Sequence, residues 1–303
     1  MNKFDRMDKT ADCQERASVS LSSIKTLWFN TGTLCNLACK NCYIESSPTN
    51  DRLVYLTKND VAEYLSEIDP ITTPSIGLTG GEPFLNPSII EILKTCLHHG
   101  HEVLVLTNAN RVLKKHQHSL LELLKEYGSK LQLRVSLDHF SKEVHEQERG
   151  PNTFERTLEQ TKWLYESGFN ISIASRSLGS ESSEVAIEGH RKLLETYGIK
   201  IDISNKLVVF PEMASGRDVP EITTKCWGIL NKSPQDQMCA TERMIVKRKG
   251  DYRPVVMPCT LLAYDDRFIL GNSLKSAQKK VFLNHRFCAE FCVLGGASCS
   301  STK

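Results

Sequence analysis

The sequence predicts an α/β protein: a partial (β/α)6 barrel of the TIM type, followed by a small cysteine-rich unit. Six short apolar segments alternate with helical segments over residues 23–209, as in a parallel sheet covered by helices. Polar residues and cysteines follow the ends of these segments, where parallel α/β folds carry their chemistry. Beyond residue 209 the alternation stops and cysteines return, which indicates a second unit over residues 210–303.

The individual elements follow from local signals. Residues 1–22 show no periodic pattern and are interpreted as a leader. Thr57 and Asp60 form a capping-box pattern at the start of the first helix, and glycines follow the ends of later helices. The predicted strands cover residues 23–31, 75–79, 102–107, 131–137, 170–175 and 200–209. The predicted helices begin at Thr57 and then cover residues 88–99, 116–127, 153–167 and 182–197.

The composition of the chain is that of a globular protein and argues against a nucleic-acid-binding or membrane-spanning one. The chain has 303 residues, 40% of them hydrophobic and 24% charged, which is ordinary for a globular protein. Its net charge of +2 gives no electrostatic footprint for nucleic acid. No apolar stretch is long enough to span a membrane and the N-terminus lacks a signal peptide's apolar core, so we expect a cytoplasmic protein. Eleven cysteines then favour metal ligation over disulfides.

Three of these cysteines form the most informative motif, Cys35-x3-Cys39-x2-Cys42. Thiolates this close in the chain can converge on one iron–sulfur cubane and leave its fourth iron free for a small molecule. A structural zinc site more often uses paired Cys-x2-Cys knuckles that close all four positions. Buried or zinc-bound cysteines remain the alternative.

A second motif, Thr79-Gly80-Gly81-Glu82-Pro83, follows the second predicted strand. Two glycines let the backbone approach a ligand closely, and a carboxylate complements an ammonium group. A plain Gly-Gly turn before a helix-start proline is the alternative.

The segment CNLACKNCY resembles the cluster loop of the radical S-adenosylmethionine (radical SAM) enzymes. In that family three cysteines hold a 4Fe–4S cluster, and the cofactor's amine and carboxylate chelate the fourth iron. The GGE segment and Ser136-Leu137-Asp138 are similar to further motifs of the family. One departure is Asn41, where the family usually has an aromatic residue against the adenine.

The resemblance implies roles for individual residues. Cys35, Cys39 and Cys42 would hold the cluster, and the GGE segment would hold the amine of SAM. Ser136 and Arg176 would contact its ribose or carboxylate, and Asn108 is a further candidate. The implied cofactor-binding residues are Gly80, Gly81, Glu82, Asn108, Ser136 and Arg176.

The C-terminal cysteines resemble an auxiliary-cluster extension of the SPASM or twitch type. A hairpin over residues 243–247 and 254–257, then a helix near 273–282, precede the last cysteines. By the twitch arrangement one auxiliary cluster would use Cys239, Cys259, Cys288 and Cys292, with Cys226 and Cys299 in reserve. A structural zinc site is the alternative, because cysteine-only ligation suits either metal.

The implied function is reductive cleavage of SAM to a 5′-deoxyadenosyl radical that removes hydrogen from a substrate C–H bond. We expect an oxidative modification of a small molecule, with flavodoxin or ferredoxin as the electron donor. Three alternatives stay open: a peptide maturase with a separate leader-recognition protein, a non-catalytic iron–sulfur electron carrier, and a zinc-stabilised binding module.

Overall fold

The computed structural model describes residues 2–178, 181–213 and 218–300. Its main sheet has eight strands in the order β7-β6-β5-β4-β3-β2-β8-β9, and a separate pair joins β1 to β10. The strands are β1 (Ser18–Val19), β2 (Thr26–Asn30), β3 (Ser75–Thr79), β4 (Glu102–Thr107), β5 (Leu131–Ser136), β6 (Asn170–Arg176), β7 (Leu207–Phe210), β8 (Glu242–Val246), β9 (Val255–Met257) and β10 (Val281–Phe282). The α-helices are α1 (Lys58–Leu65), α2 (Ile89–His98), α3 (Gln117–Tyr127), α4 (Lys142–Arg149), α5 (Phe154–Glu166), α6 (Ser183–Thr196), α7 (Ile203–Lys206) and α8 (Cys226–Ile229).

The six parallel strands predicted from the sequence are confirmed as β2 to β7. Each pairs in parallel with its neighbour, and their apolar side chains are buried on both faces. On one face the glycine at position 77 leaves room for the Trp28 ring, because a methyl group there would lie 2.2 Å from the indole. The order in space follows the order in the chain, as in an open (β/α)6 barrel whose strand ends share one rim.

The predicted helix boundaries are confirmed within two residues. Thr57 caps α1 by accepting from the backbone of Asp60, whose carboxylate accepts in return from Thr57. The sequence missed α4, because its residues KEVHEQER carry only one aliphatic side chain. That helix is set instead by Ser141, which caps its N-terminus, and by burial of the polar residues at its end.

One predicted strand start and one predicted helix are wrong. The sixth strand does not begin at residue 200, because Asp202 accepts from the backbone of Ser204 and starts the short helix α7. No helix forms over residues 273–282. There Ser273 and Ser276 exchange side-chain and backbone hydrogen bonds with each other, which competes with helix formation, and the segment ends in β10.

The predicted hairpin is confirmed as β8 and β9, and it extends the barrel sheet. β8 pairs in parallel with β2, while β9 pairs antiparallel with β8. The indole of Trp28 donates to the carboxylate of Glu242 across this junction at 2.7 Å. The boundary predicted at residue 210 therefore lies within one continuous sheet.

The N-terminal segment packs along the C-terminal part of the chain. β1 pairs with β10, and the buried Arg16 forms an ion pair of 2.5 Å with Glu221. The predicted leader, of which the structure describes residues 2–22, thus packs on segments that follow the barrel. Within the described part of the chain, no helix has the length and apolar character needed to cross a bilayer.

Candidate functional site

The carboxyl ends of the barrel strands surround one cavity. It holds about 980 Å³ of space between protein atoms, counted out to its mouth. All but one of the residues predicted for the SAM-binding half of the site lie on its wall. These are Cys35, Cys39, Cys42, Gly80, Gly81, Asn108, Ser136 and Arg176.

The cysteine loop follows β2 and is held by its backbone. Cys35 is buried, and its N–H donates to the carbonyl of Ser47 at 3.0 Å. Its sulfur accepts from the backbone N–H of Leu37 at 3.4 Å and from the Asn108 amide at 3.8 Å. Burial, reinforced by Glu82, raises the pKa of Cys35 to about 12. A bound metal would be needed to hold this sulfur as a thiolate, and coordination has that effect.

Two arginines lie near the other end of the loop. Burial and Cys39 raise the pKa of Cys42, whereas the charges of Arg176 and Arg149 act in the opposite direction. The two guanidinium groups therefore favour negatively charged sulfur at this side of the cavity.

Gly80 and Gly81 hold the cysteine loop against β3. The N–H of Gly81 donates to the carbonyl of Gly32 at 2.8 Å, and that of Glu82 donates to the carbonyl of Leu34 at 3.2 Å. A methyl group at Gly80 would lie 2.4 Å from the Gly32 oxygen, and one at Gly81 would lie 2.3 Å from the Leu34 oxygen. The two glycines are therefore required by the close approach of two backbones, in addition to any ligand.

Glu82 is the one predicted SAM-binding residue that does not line the cavity. It is 2% exposed. Its carboxylate accepts from the hydroxyl of Thr107 at 2.9 Å and from the N–H groups of Asn108 at 2.8 Å and Phe84 at 3.2 Å. Burial raises its pKa to about 7 against these hydrogen bonds. Glu82 thus fixes the turn after β4, and its contact to the SAM amine stays a prediction.

Arg176, at the end of β6, reaches across the cavity to the cysteine loop. It donates to the carbonyl of Asn41 and lies 4.5 Å from the centre of the Tyr43 ring. It also lies 3.4 Å from the carboxylate of Asp138. Arg176 therefore holds the loop whether or not it also contacts a ligand.

The side chain of Asn41 forms hydrogen bonds with helix α4. Its amide donates to both carboxylate oxygens of Glu148, at 3.1 and 3.0 Å. The polar residue at this position thus has a structural partner that an aromatic residue would lack.

Sequence reasoning assigned no role to Asp138 and did not identify Arg149, and both line the cavity. They form a buried ion pair of 2.9 Å. Burial alone would raise the pKa of Asp138, but Arg149 and Arg176 outweigh it and the pKa is lowered. Among the described residues, Asp138 Oδ2 and Arg149 Nε have no hydrogen-bond partner. A polar ligand can satisfy them, which is the condition that a buried polar atom requires. For Asp138 the sequence signal was its position two residues after the end of β5. Arg149 had no such signal, because it ends α4, the helix that the sequence did not predict.

The four cysteines predicted for an auxiliary cluster surround a second, smaller cavity. It holds about 290 Å³ and is walled otherwise by mainly apolar side chains. Cys288 and Cys292 come from a π-helix, Cys288–Leu294, and Cys239 and Cys259 flank the β8–β9 hairpin. Burial raises the pKa of Cys239 and of Cys259 to about 12.

The two cysteines held in reserve lie elsewhere. Cys299 lines the main cavity, and Cys226 lines neither cavity. Over residues 2–178, 181–213 and 218–300, no three Cys, His, Asp or Glu side chains come together as ligands of a single metal ion. The three thiols of the cysteine loop on the main cavity and the four thiols on the small cavity are the donors that iron–sulfur clusters use. Both cavities therefore fit such clusters chemically.

Comparison with known proteins agrees with this geometry. The model of the "Radical SAM superfamily" matches residues 29–211, more than half of the chain. The chain is 35% identical over 142 residues to the antilisterial bacteriocin subtilosin biosynthesis protein AlbA of Bacillus subtilis (strain 168), covering 46% of this chain and 30% of AlbA. It is 30% identical over 152 residues to the AdoMet-dependent heme synthase of Methanosarcina barkeri (strain Fusaro / DSM 804), covering 48% of this chain and 41% of that protein. The chain thus spans less than half the length of these relatives.

The fold is similar to that of Streptococcus suis SuiB crystallised with S-adenosylmethionine, with a TM-score of 0.59 at 16% identity, covering 91% of this chain and 68% of SuiB. The cofactors expected from the sequence, a 4Fe–4S cluster and SAM, are those that this family uses. On the strength of the family match, the chain belongs to the radical SAM superfamily.

Proposed function

We propose that the chain is an enzyme that cleaves SAM reductively at a 4Fe–4S cluster held by Cys35, Cys39 and Cys42 and modifies a substrate at a C–H bond. One observation supports this most directly: the three cysteines line the same cavity as the carboxyl ends of β3 to β6. Bound there, cluster and cofactor supply a radical that removes a hydrogen atom from the substrate, chemistry that the protein itself does not provide.

The chain's own residues would position the ligands and exclude water. Asn108 donates to the Cys35 sulfur, and such second-shell donors tune a cluster. Asp138 Oδ2 and Arg149 Nε would accept from and donate to a bound ligand. Because Asp138 stays ionised beside two arginines, it is an acceptor for hydroxyl or ammonium groups rather than a proton donor.

Cys239, Cys259, Cys288 and Cys292 would hold an auxiliary cluster on the second cavity. The support is their convergence on one small, mainly apolar space. With four thiolates this cluster would have no iron free for cofactor. A cluster held there would supply electron-transfer chemistry, with an external protein of the flavodoxin or ferredoxin class as the proposed donor.

The sequence left two substrate classes open, a small molecule and a peptide, and each has support from one of the similar proteins. The heme synthase favours a small molecule and AlbA, a bacteriocin biosynthesis protein, favours a peptide. We keep the small molecule as the first candidate, since the charged groups of the cavity wall, Asp138, Arg149 and Arg176, suit a compact polar ligand.

The test uses protein reconstituted anaerobically with iron and sulfide. The parent should bind iron and form 5′-deoxyadenosine from SAM when reduced with dithionite. The triple variant Cys35→Ala, Cys39→Ala, Cys42→Ala should lose one cluster's iron and all formation of 5′-deoxyadenosine. Cys13→Ser, which changes an exposed cysteine, is the control. Retained cleavage in the triple variant would disprove the proposal.

A further inference from the structure

Cys299 lines a different cavity from the four cysteines proposed to hold the auxiliary cluster. Cys239, Cys259, Cys288 and Cys292 face the small cavity, whereas Cys299 faces the main cavity together with Cys35, Cys39 and Cys42. It is 7% exposed. A thiol is therefore buried in the wall of the proposed reaction chamber, and neither set of cluster ligands uses it.

The position of Cys299 is fixed by its backbone. Its carbonyl accepts from the guanidinium of Arg134 at 2.7 Å, and its N–H donates to the sulfur of Met238 at 3.2 Å. Its own sulfur accepts from the hydroxyl of Thr260 at 3.1 Å. Thr260 thus orients the sulfur without consuming the thiol hydrogen. Burial raises the pKa of Cys299 to about 12, so the thiol keeps that hydrogen at neutral pH.

A second feature of the same wall indicates that a ligand binds there. Asp138 is 2% exposed and lines the cavity, yet its Oδ2 has no partner among the described residues. Its Oδ1 accepts a hydrogen bond from the guanidinium of Arg149. Such a buried, ionised oxygen requires a donor, and a hydroxyl or ammonium group of a molecule bound in the cavity that Cys299 also lines would supply one.

Cys299 also lies next to the proposed auxiliary site. Thr260, which donates to the Cys299 sulfur, directly follows Cys259 in the chain. Thr260 lines the main cavity, whereas Cys259 lines the small one. Two consecutive residues, Cys259 and Thr260, therefore connect the proposed auxiliary site to this thiol.

We propose that Cys299 donates a hydrogen atom to the substrate radical, so that the reaction ends in hydrogen return rather than in net oxidation. The inference rests on the proposed function. The S–H bond of Cys299 breaks and a new C–H bond forms at the substrate carbon, which leaves a sulfur-centred radical on Cys299. One electron from a donor of the flavodoxin or ferredoxin class and one proton from solvent restore the thiol.

The experiment needs no knowledge of the substrate. Reconstituted holoenzyme is equilibrated in D2O without added thiols, reduced with dithionite and given SAM alone, so that the thiol carries deuterium. If Cys299 is a hydrogen-atom donor, the adenosyl radical formed without substrate should take deuterium from it. The mass of the 5′-deoxyadenosine formed is then compared for the parent, Cys299→Ser and the control Cys13→Ser, with iron per chain measured for each.

We expect deuterium in the 5′-deoxyadenosine of the parent and of Cys13→Ser, and its fall to background in Cys299→Ser at unchanged iron content. Serine keeps a hydrogen-bonding group beside Thr260 but has no weak S–H bond. Equal deuterium in Cys299→Ser, or none in the parent, would overturn the inference and leave the proposed function standing. Loss of about half the iron in Cys299→Ser would make Cys299 a cluster ligand, which also overturns it. Absence of 5′-deoxyadenosine from the parent would refute the proposed function and this inference with it.

Discussion

Replacement of Gly81 by alanine tests whether the glycine pair holds the cysteine loop. The added methyl group would lie 2.3 Å from the carbonyl oxygen of Leu34, 2.7 Å from its carbonyl carbon and 2.8 Å from the oxygen of Thr33. All three are backbone atoms, so no side chain can rotate away. An ordinary contact begins near 3.4 Å, and the loop must therefore move by roughly 1 Å.

That movement has a calculable cost. Overpacking by one methyl group costs about 1–3 kcal/mol, and the hydrogen bonds from Gly81 to Gly32 and from Glu82 to Leu34 would lengthen with it. A penalty of this size lowers the population of the native loop about 5- to 150-fold. Cys35 follows Leu34 directly, so the loss falls on the first cluster ligand.

The assay compares iron per chain, 5′-deoxyadenosine formation and melting temperature. Gly81→Ala should lose the iron of the primary site and most SAM cleavage, and should keep the iron at the C-terminal cysteines. Gly228→Ala is the matched control, because nothing lies within 4 Å of a methyl group there. If Gly81→Ala binds full iron and cleaves SAM at the parent's rate, the role assigned to the glycine pair is refuted.

Two further predictions concern the second cavity and the buried carboxyl group. The double variant Cys288→Ala, Cys292→Ala should lose about half the iron yet still form 5′-deoxyadenosine; full iron content would contradict the assignment of the auxiliary site. In the apoprotein, Glu82 has a pKa of about 7 instead of the 4.5 of an unburied glutamate, so the folded state holds a proton that the unfolded state releases in this window. The free energy of unfolding should therefore fall between pH 4.5 and 7, by about 3 kcal/mol from this group. Glu82→Gln should flatten that slope in urea denaturation at pH 5 and pH 8, and an unchanged slope would show that another group is responsible.

The barrel could be predicted from the sequence because its signals are local. Each strand of β2 to β7 is a short apolar run between helical segments, and Thr57 caps α1 through residues three apart. Their meeting at one cavity follows from the topology of parallel sheets. The cysteine spacing and the order of the strands were thus enough to predict that these residues meet at one cavity, and their roles there stay predictions.

The remaining features depend on contacts between segments distant in the chain. Helix α4 has almost no apolar periodicity, so the pairing of Arg149 with Asp138 had no pattern to predict it. The requirement for glycine at position 81 comes from the carbonyl of Leu34, and no sequence rule relates the two residues. The same holds for Cys299, which follows Cys292 closely in the chain but lines the main cavity, where its carbonyl accepts from Arg134.

The pairing of β8 with β2 has a consequence for how the chain is made. Trp28 in β2 donates to Glu242, 214 residues further along the chain, so β2 has only one neighbour until most of the protein has been synthesised. Such non-local pairings form late and slow folding, and an open edge strand is a site for pairing with other chains. The cysteine loop, which follows β2, would therefore leave the ribosome well before β8 is available to pair with β2. Maturation of the first cluster should then come after synthesis of the whole sheet, and nascent or truncated chains that end before β8 should be aggregation-prone.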